Sequence, residues 1–204
     1  MSVQLYVWGR RACFSRPQFP TERVTYDAPT PSACVGILEA IHWKPAIRWH
    51  VDRITVLAPI VHEQWRNNEV AVRASARRPR IVTTDNRVQR TTLALRDVAY
   101  LIDAHFDMTD KAGPSDSPGK HVEMFKRRAA RGQCWQHPCL GLREMMAAGW
   151  SDKPNREVDQ SLMGERNLGM MLHSIDHATG KPRWFHAIMR DGVIDVPPVR
   201  EALQ

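Results

Sequence analysis

The sequence has no run of about 18 apolar residues, the length a membrane-spanning helix needs. Its opening, Met1-Ser2-Val3-Gln4-Leu5, lacks the charged-then-apolar layout of a secretory signal. Both absences point to a cytoplasmic protein with no membrane partner. Cysteine is scarce. Cys13, Cys34, Cys134 and Cys139 are the only four, and none forms a C-x-x-C pair. The tightest cluster, Cys134-Trp135-Gln136-His137-Pro138-Cys139, offers two thiols and one imidazole where a structural zinc takes four ligands. Free thiols in a reducing compartment, with no metal and no cofactor, are the simpler expectation. A nucleotide-binding P-loop is also missing: Lys120 is followed by His121, and Pro114 stands where the first glycine would be. Asp103, Asp107 and Asp110 come nearest to the carboxylate cluster of a metal nuclease. Their surroundings are strand-like, so they are expected to be solvated.

What is present begins with charge. The 204 residues are 43% hydrophobic, enough for a packed core, and carry a net charge of +7. Most of that charge falls in one segment. Arg66, Arg73, Arg77, Arg78, Arg80, Arg87, Arg90 and Arg96 are opposed only by Glu69 and Asp85. All eight cations are arginine. Its planar fork donates bidentately to phosphate and stacks on unpaired bases. A solvated face would mix the two signs, whereas this run is nearly one-signed, so it reads as a polyanion footprint. RNA and duplex DNA would both satisfy it, because phosphate contacts carry no sequence information.

Periodicity predicts an α+β chain. Val3–Trp8 alternates as a strand, and the proline-rich stretch from Gly9 to Pro31 reads as a long connection. Thr30-Pro31-Ser32 starts a helix running to Trp43, with Val35, Leu38 and Ile41 on its buried stripe. Residues 47–61 and 92–106 read as long strands, with Pro59 ending the first. Ser117-Pro118 caps a second helix reaching Ala130, and Gly132 follows its end. Leu140–Glu144 reads as a short strand and 168–175 as another. Trp184–Met189 and Val193–Val196 form a hairpin around Asp191-Gly192, a favoured type I′ pair. The order over residues 1–145 is compatible with a ferredoxin-like sandwich, and residues 146–204 with a small antiparallel β-sheet domain.

The chemistry concentrates at the helix ends. Lys120 and His121 lie in the first turn of the second helix, where free N–H groups and the dipole favour an anion such as phosphate. The same positive end disfavours an imidazolium at His121, leaving a base, while Lys120 would stabilise charge on a phosphorane. His42 lies at the opposite pole of the first helix, where the dipole favours the protonated form and hence an acid. Such a trio suits metal-free RNA cleavage, in which the 2′-OH attacks its own phosphate and leaves a 2′,3′-cyclic phosphate and a 5′-OH. A polar turn and a carbonyl-capping histidine are the bland alternatives for the same residues. His50, His62, His105, His137, His173, His177 and His186 have no evident partner. Trp43, Trp49 and Trp65 are expected in the core.

Several segments together carry a resemblance. They are Tyr26–Ala33, Gly36–Pro45, Arg66–Val70, Gly119-Lys120-His121, Leu140–Glu144, Leu168–His173 and the Asp191-Gly192 hairpin. In this order they resemble the CRISPR-associated Cas five family, subtype I-C (the d variety), along essentially the whole chain. The resemblance implies a RAMP-type ferredoxin-like domain (residues 1–145) followed by a small β-rich domain (146–204). It implies a metal-independent endoribonuclease that cuts precursor CRISPR RNA at the repeat hairpin and stays on the 5′ handle inside a Cascade-type complex with other subunits. The family's Lys-His pair maps onto Lys120 and His121. Its third catalytic residue, a tyrosine before Trp-Lys-Pro, is replaced here by His42, which favours as the alternative a non-catalytic subunit that binds RNA or duplex DNA. Arg66, Arg73, Arg77, Arg78, Arg80, Arg87 and Arg90 are the expected RNA contacts.

Overall fold

The structure, a computed structural model, describes residues 2–19, 21–77, 80–176 and 179–203. The described residues are mostly β, with two α-helices. In chain order the elements are β1 (Ser2–Ala12), β2 (Arg23–Val24), α1 (Pro31–Ile41), β3 (Ile47–Val56), β4 (His62–Val70), β5 (Arg87–Met108) and α2 (Pro118–Ala130). Then follow β6 (Gly149–Ser151), β7 (Glu165–Ile175), β8 (Pro182–Arg190) and β9 (Val193–Asp195).

The 22-residue strand β5 organises the sheet. One edge pairs antiparallel with β1, from Ser2↔His105 to Ala12↔Leu95, and further back with β2. The other edge pairs with β3 and then, beyond a break, with β4. The strand expected over 47–61 therefore ends at Val56. Pro59, which has no N–H to give to a ladder, sits in the break. Asp97, with φ 52, marks where β5 passes from its β4 partner to its β3 partner. Aspartate tolerates that left-handed backbone better than bulkier residues do. The full path across the sheet is β6-β1-β5-β3-β9-β8-β7, so the C-terminal strands continue the same sheet through Arg53↔Asp195.

Both helices pack on one face. Cys34, Ile37, Leu38 and Ile41 of α1 and Phe125 and Ala129 of α2 cover Leu5, Val7, Ile54, Tyr100 and Ile102. The inward Met171, Phe185, Met189 and Ile194 of β7–β9 extend that same core. Tyr6, Leu57, Ala58 and Ala99 form a smaller cluster, with Trp8 and Leu101 packed against it. Of the tryptophans expected inside, Trp49 is buried, Trp65 is half-buried and Trp43 is exposed.

Other expectations shift for local reasons. The stretch from Gly9 to Pro31 is less of a loop than its prolines suggest, because β1 continues to Ala12 and β2 rejoins β5. Leu140–Glu144 is not a strand. Met145 N–H donates to the Leu142 carbonyl at 3.0 Å, and an isolated bridge, Cys139↔Met146, closes the loop. The next strand is β6, against Tyr6–Trp8. The Asp191-Gly192 turn has φ 50 and 80, the two positive values that a type I′ hairpin requires.

Gly141 holds the 139–146 loop against β1. Its φ is +92, and a Cβ there would lie 1.9 Å from the Cys13 carbonyl oxygen. Gly141→Ala is expected to cost more than about 2 kcal/mol, through strain and forced separation of the loop. Gly36→Ala, in α1 with nothing within 4 Å of the added Cβ, is expected to hold or raise stability. Thermal denaturation of the two variants checks the contrast.

Candidate active site

The site forms where the C-terminus of α1 meets α2. Thr30 caps α1, its Oγ1 accepting the Ala33 N–H at 3.2 Å, and Pro31 occupies the first turn. The helix ends at Ile41. His42 turns out of it with φ −146, while its own N–H still donates to the Leu38 carbonyl at 2.9 Å. Two side chains satisfy the carbonyls left over at this end. Trp49 Nε1 donates to the His42 carbonyl at 2.9 Å, and Arg128 Nη1 donates to the Ile41 carbonyl at 2.9 Å. These bonds fix the backbone of His42 and aim its ring at α2.

On α2, Ser117 is the N-cap and its Oγ accepts the Lys120 N–H at 3.4 Å. His121, Phe125 and Arg128 are spaced by four and three residues and so share one face. The His42 ring lies against that face and touches both ends. His42 Nε2 is 3.1 Å from His121 Nδ1, and His42 Nδ1 is 3.4 Å from Arg128 Nη1. Trp49 packs on Phe125, and Phe106 meets His121 edge-on.

The hydrogen atoms follow from the partners. A guanidinium only donates, so His42 Nδ1 accepts. The proton of neutral His42 is then on Nε2, which donates to His121 Nδ1. The proton of neutral His121 is in turn on Nε2. That nitrogen is buried, makes no well-aligned hydrogen bond among the described residues, and lies 3.4 Å from Asp116 Oδ1. In this arrangement neither ring offers a free lone pair, which differs from the expectation of His121 as a ready base.

Asp116 sits at the mouth. Its Oδ2 accepts the Gly113 N–H at 3.0 Å, and its Oδ1 is 3.9 Å from Lys120 Nζ. Its carboxyl is held below the usual range by the Gly113 bond and by Lys120 and His121 beside it. Lys120 is half exposed and also donates to the Ser115 carbonyl at 3.1 Å. His42 and His121 are 0% and 1% exposed, so Lys120 alone of the three reaches solvent.

The charge of His42 overturns the dipole expectation. Burial lowers its pKa to about 4, with Arg128, His121 and Lys44 acting in the same direction. Desolvation and a neighbouring guanidinium outweigh the helix dipole, which is worth at most a kcal/mol or two (about 2) even when partly buried. His42 is therefore a neutral donor and not an imidazolium acid.

The arginine segment forms an arm, the β4–β5 hairpin. One face is half-buried: Glu63 pairs with Arg11, and Glu69 pairs with Arg23 at 2.6 Å and Arg90 at 3.4 Å. Arg90 also donates to the Thr21 carbonyl, so this residue is spent on structure. Arg66 and Arg87 lie on the exposed face, and Arg73, Arg77 and Arg80 are exposed in the loop. Arg78 and His177 lie outside the described residues. Most other histidines do have partners: His50 with Asp107, His62 with Asp27, His105 with Asp52, and His137 and His173 with backbone carbonyls. Among the described residues no group of three or more His, Cys, Asp or Glu is placed to hold a metal ion. Nor is any helix among them long and apolar enough to cross a membrane. A groove of about 470 Å³ between α1 and residues 135–143 contains none of His42, Lys120 or His121.

Arg128 and Asp116 escaped the sequence reading. The usable signal was spacing: Arg128 stands seven residues after His121 on one helical face, and Asp116 stands just before the cap.

A family model described as CRISPR-associated protein (Cas_Cas5) matches residues 2–197. The CRISPR pre-crRNA endoribonuclease Cas5d of Mannheimia succiniciproducens is 47% identical over 213 residues, covering 96% of this chain and 95% of that protein. Its namesake from Thermus thermophilus is 40% identical over 215 residues, covering 96% and 91%. Among solved structures, a CRISPR-associated protein superposes with TM-score 0.75 at 24% identity, covering 99% of this chain and 94% of that one. A functionally uncharacterized protein from Streptococcus mutans gives 0.68 at 22% identity, covering 99% and 95%. A chain of a CRISPR RNA-guided surveillance complex gives 0.53 at 13%, covering 100% and 91%. At these identities the structural matches speak for the fold alone.

The depressed pKa of His42 has a stability consequence. Between pH 6.5 and 4 the unfolded chain protonates this residue and the folded chain does not. Stability present above pH 6.5 is therefore lost as pH falls toward 4, by roughly 3 kcal/mol if the shift is fully expressed. His50 and His173 are lowered too and act in the same direction. Denaturant titrations at pH 7 and pH 4.5 are expected to show a smaller acid loss for His42→Gln than for the wild type.

Proposed function

The chain belongs to the CRISPR-associated Cas5d family, and on that footing we propose that it cuts precursor CRISPR RNA at the site where α1 meets α2. It is a CRISPR RNA-processing endoribonuclease. The observation that carries the site is the contact between His42 and His121. Residues 79 apart in sequence meet at 3.1 Å beside a lysine at a capped helix N-terminus. Lys120 Nζ at 3.9 Å and the buried Nε2–H of His121 at 3.4 Å both approach the Asp116 carboxylate, just before that N-terminus. A scissile phosphodiester carries the same single negative charge and also offers two acceptor oxygens, and it seats there once Asp116 moves aside.

The 2′-OH gives its proton to solvent water and attacks in line, the phosphorane gains negative charge, the bond from phosphorus to the 5′ oxygen breaks, and that oxygen takes a proton from water, leaving a 2′,3′-cyclic phosphate and a 5′-OH. Lys120, from the solvent side, and His121 Nε2–H, from the buried side, stabilise the phosphorane oxygens. His42 stands behind His121 and reaches RNA only through it. Where the resemblance implies a tyrosine, this chain has a neutral imidazole whose Nε2–H donates to His121 Nδ1.

Arg66, Arg73, Arg77, Arg80 and Arg87 are proposed to hold the RNA backbone along the arm, with other surveillance-complex subunits as protein partners. We further read residues 1–145, completed by β6, as a ferredoxin-like RAMP unit and the rest as a small antiparallel unit. The order β1, α1, β3, β5, α2, β6 supports this division, as does the near-exclusive pairing of β7 with β8. The two units share a sheet and a core.

Labelled repeat hairpin RNA and purified protein test the reading. His121→Ala is expected to lower the cleavage rate by a hundredfold or more (about 10²–10³) while leaving binding within a few-fold. A 2′-deoxy substitution at the cut is expected to block the reaction, and EDTA to leave it unchanged. Undiminished cutting by His121→Ala, or loss with EDTA, contradicts the assignment, and binding without any cutting favours the structural-subunit alternative. Replacing Arg66 and Arg87 together by Ala is expected to weaken RNA binding and reduce the salt dependence by about two counter-ions, read from the slope of log K against log salt.

A further inference from the structure

We propose that Arg128 is a positioning residue for the cleavage reaction, fixing the tautomers of both histidines so that His121 meets RNA as a neutral Nε2–H donor. This inference rests on the reading of the α1–α2 junction as the cleavage site.

The geometry is a one-way chain of hydrogen bonds. One nitrogen, Arg128 Nη1, donates to the Ile41 carbonyl at 2.9 Å and to His42 Nδ1 at 3.4 Å. The second bond is long, but its direction is unambiguous because guanidinium has no acceptor. It forbids a proton on His42 Nδ1, which would face the guanidinium donor to donor. His42 must then carry its proton on Nε2 and give it to His121 Nδ1 at 3.1 Å. Any other protonation of His121 breaks this order. A proton on His121 Nδ1, in the imidazolium or in the other neutral form, confronts His42 Nε2–H unless His42 turns its own proton toward Arg128. Both rings are buried, so no water relieves either conflict.

The charged and titratable groups around the pair agree with a neutral chain. His42 faces Arg128 and His121 from α2 and has Lys44 two residues on. His121 faces Asp116 and has Lys120 beside it. Trp49 and Phe106 close the remaining sides with no charge. The lowered pKa of His42 is the expected companion of this arrangement.

Nitrogen-15 NMR of ring-labelled histidines in RNA-free protein reads the tautomers directly. The wild type is expected to show Nε2–H on both His42 and His121, with His42 titrating near pH 4. Finding a proton on His42 Nδ1 in the wild type would overturn the proposal without any variant. In Arg128→Met, His42 is expected to populate both tautomers and to titrate closer to its ordinary value of 6.5. Cleavage is expected to fall between about 10- and 100-fold, and the acid limb of its pH–rate profile to move up. Arg128→Lys keeps a donor and is expected to restore the tautomer and most of the rate. An Arg128→Met protein that stays folded with unmoved tautomers and an unmoved pH profile overturns the proposal. Correct tautomers in a wild type that does not cut RNA would leave the lock intact and remove the catalytic reading beneath it.

Discussion

His42 and His121 share one proton across 3.1 Å with no solvent between them, and that contact ties the two helices of the protein together at its site. A hydrogen bond between buried rings holds only if the far side of each ring is also settled. Arg128 settles His42. Asp116 lies within 3.4 Å of His121 but does not align with it, so one buried N–H is left poorly matched. In a protein interior such a poorly matched group is costly, and on the proposed reading a phosphate oxygen would supply the aligned acceptor that Asp116 does not. The site is thus closed toward water yet incomplete toward an anion.

The sheet makes the contact possible. β5 pairs with β1 on one edge and β3 on the other, and both helices lie on the same face of these strands. Beyond Asp97 the same strand leaves the core and becomes one half of the basic arm. One continuous strand therefore links the floor of the site to the exposed arginines. On the proposed reading, a single strand would position both the RNA held along the arm and the RNA cut at the helix junction.

Parts of this were legible in the sequence because they are local. Ser117-Pro118 marks the α2 cap, and the helix begins there. Asp191-Gly192 demands two positive φ values, and the turn has them. Helix polarity marked the histidine at the end of α1 and the Lys-His pair at the start of α2 only as even with a capping histidine and a polar turn, and the family resemblance was what singled them out. What was not legible depends on contacts far apart in the chain. The protonation state of His42 was misjudged because the dipole is visible in sequence, whereas burial and Arg128, 86 positions away, are not. The strand expected at Leu140–Glu144 failed because Gly141 must pass against the Cys13 carbonyl. The arginine run looked uniform, yet Arg90 is held by Glu69 and Thr21 while Arg66 and Arg87 face outward, a distinction set by strand register.

On the proposed reading, this chain by itself cuts RNA at the helix junction by using the RNA's own 2′-hydroxyl. Analysis of the product ends after single-turnover incubation of purified protein with its repeat hairpin tests it most directly. The account predicts one cut, with a 2′,3′-cyclic phosphate on the upstream fragment and a 5′-hydroxyl on the downstream one. A 5′-phosphate on the downstream fragment, or intact RNA that is nonetheless bound, would contradict it.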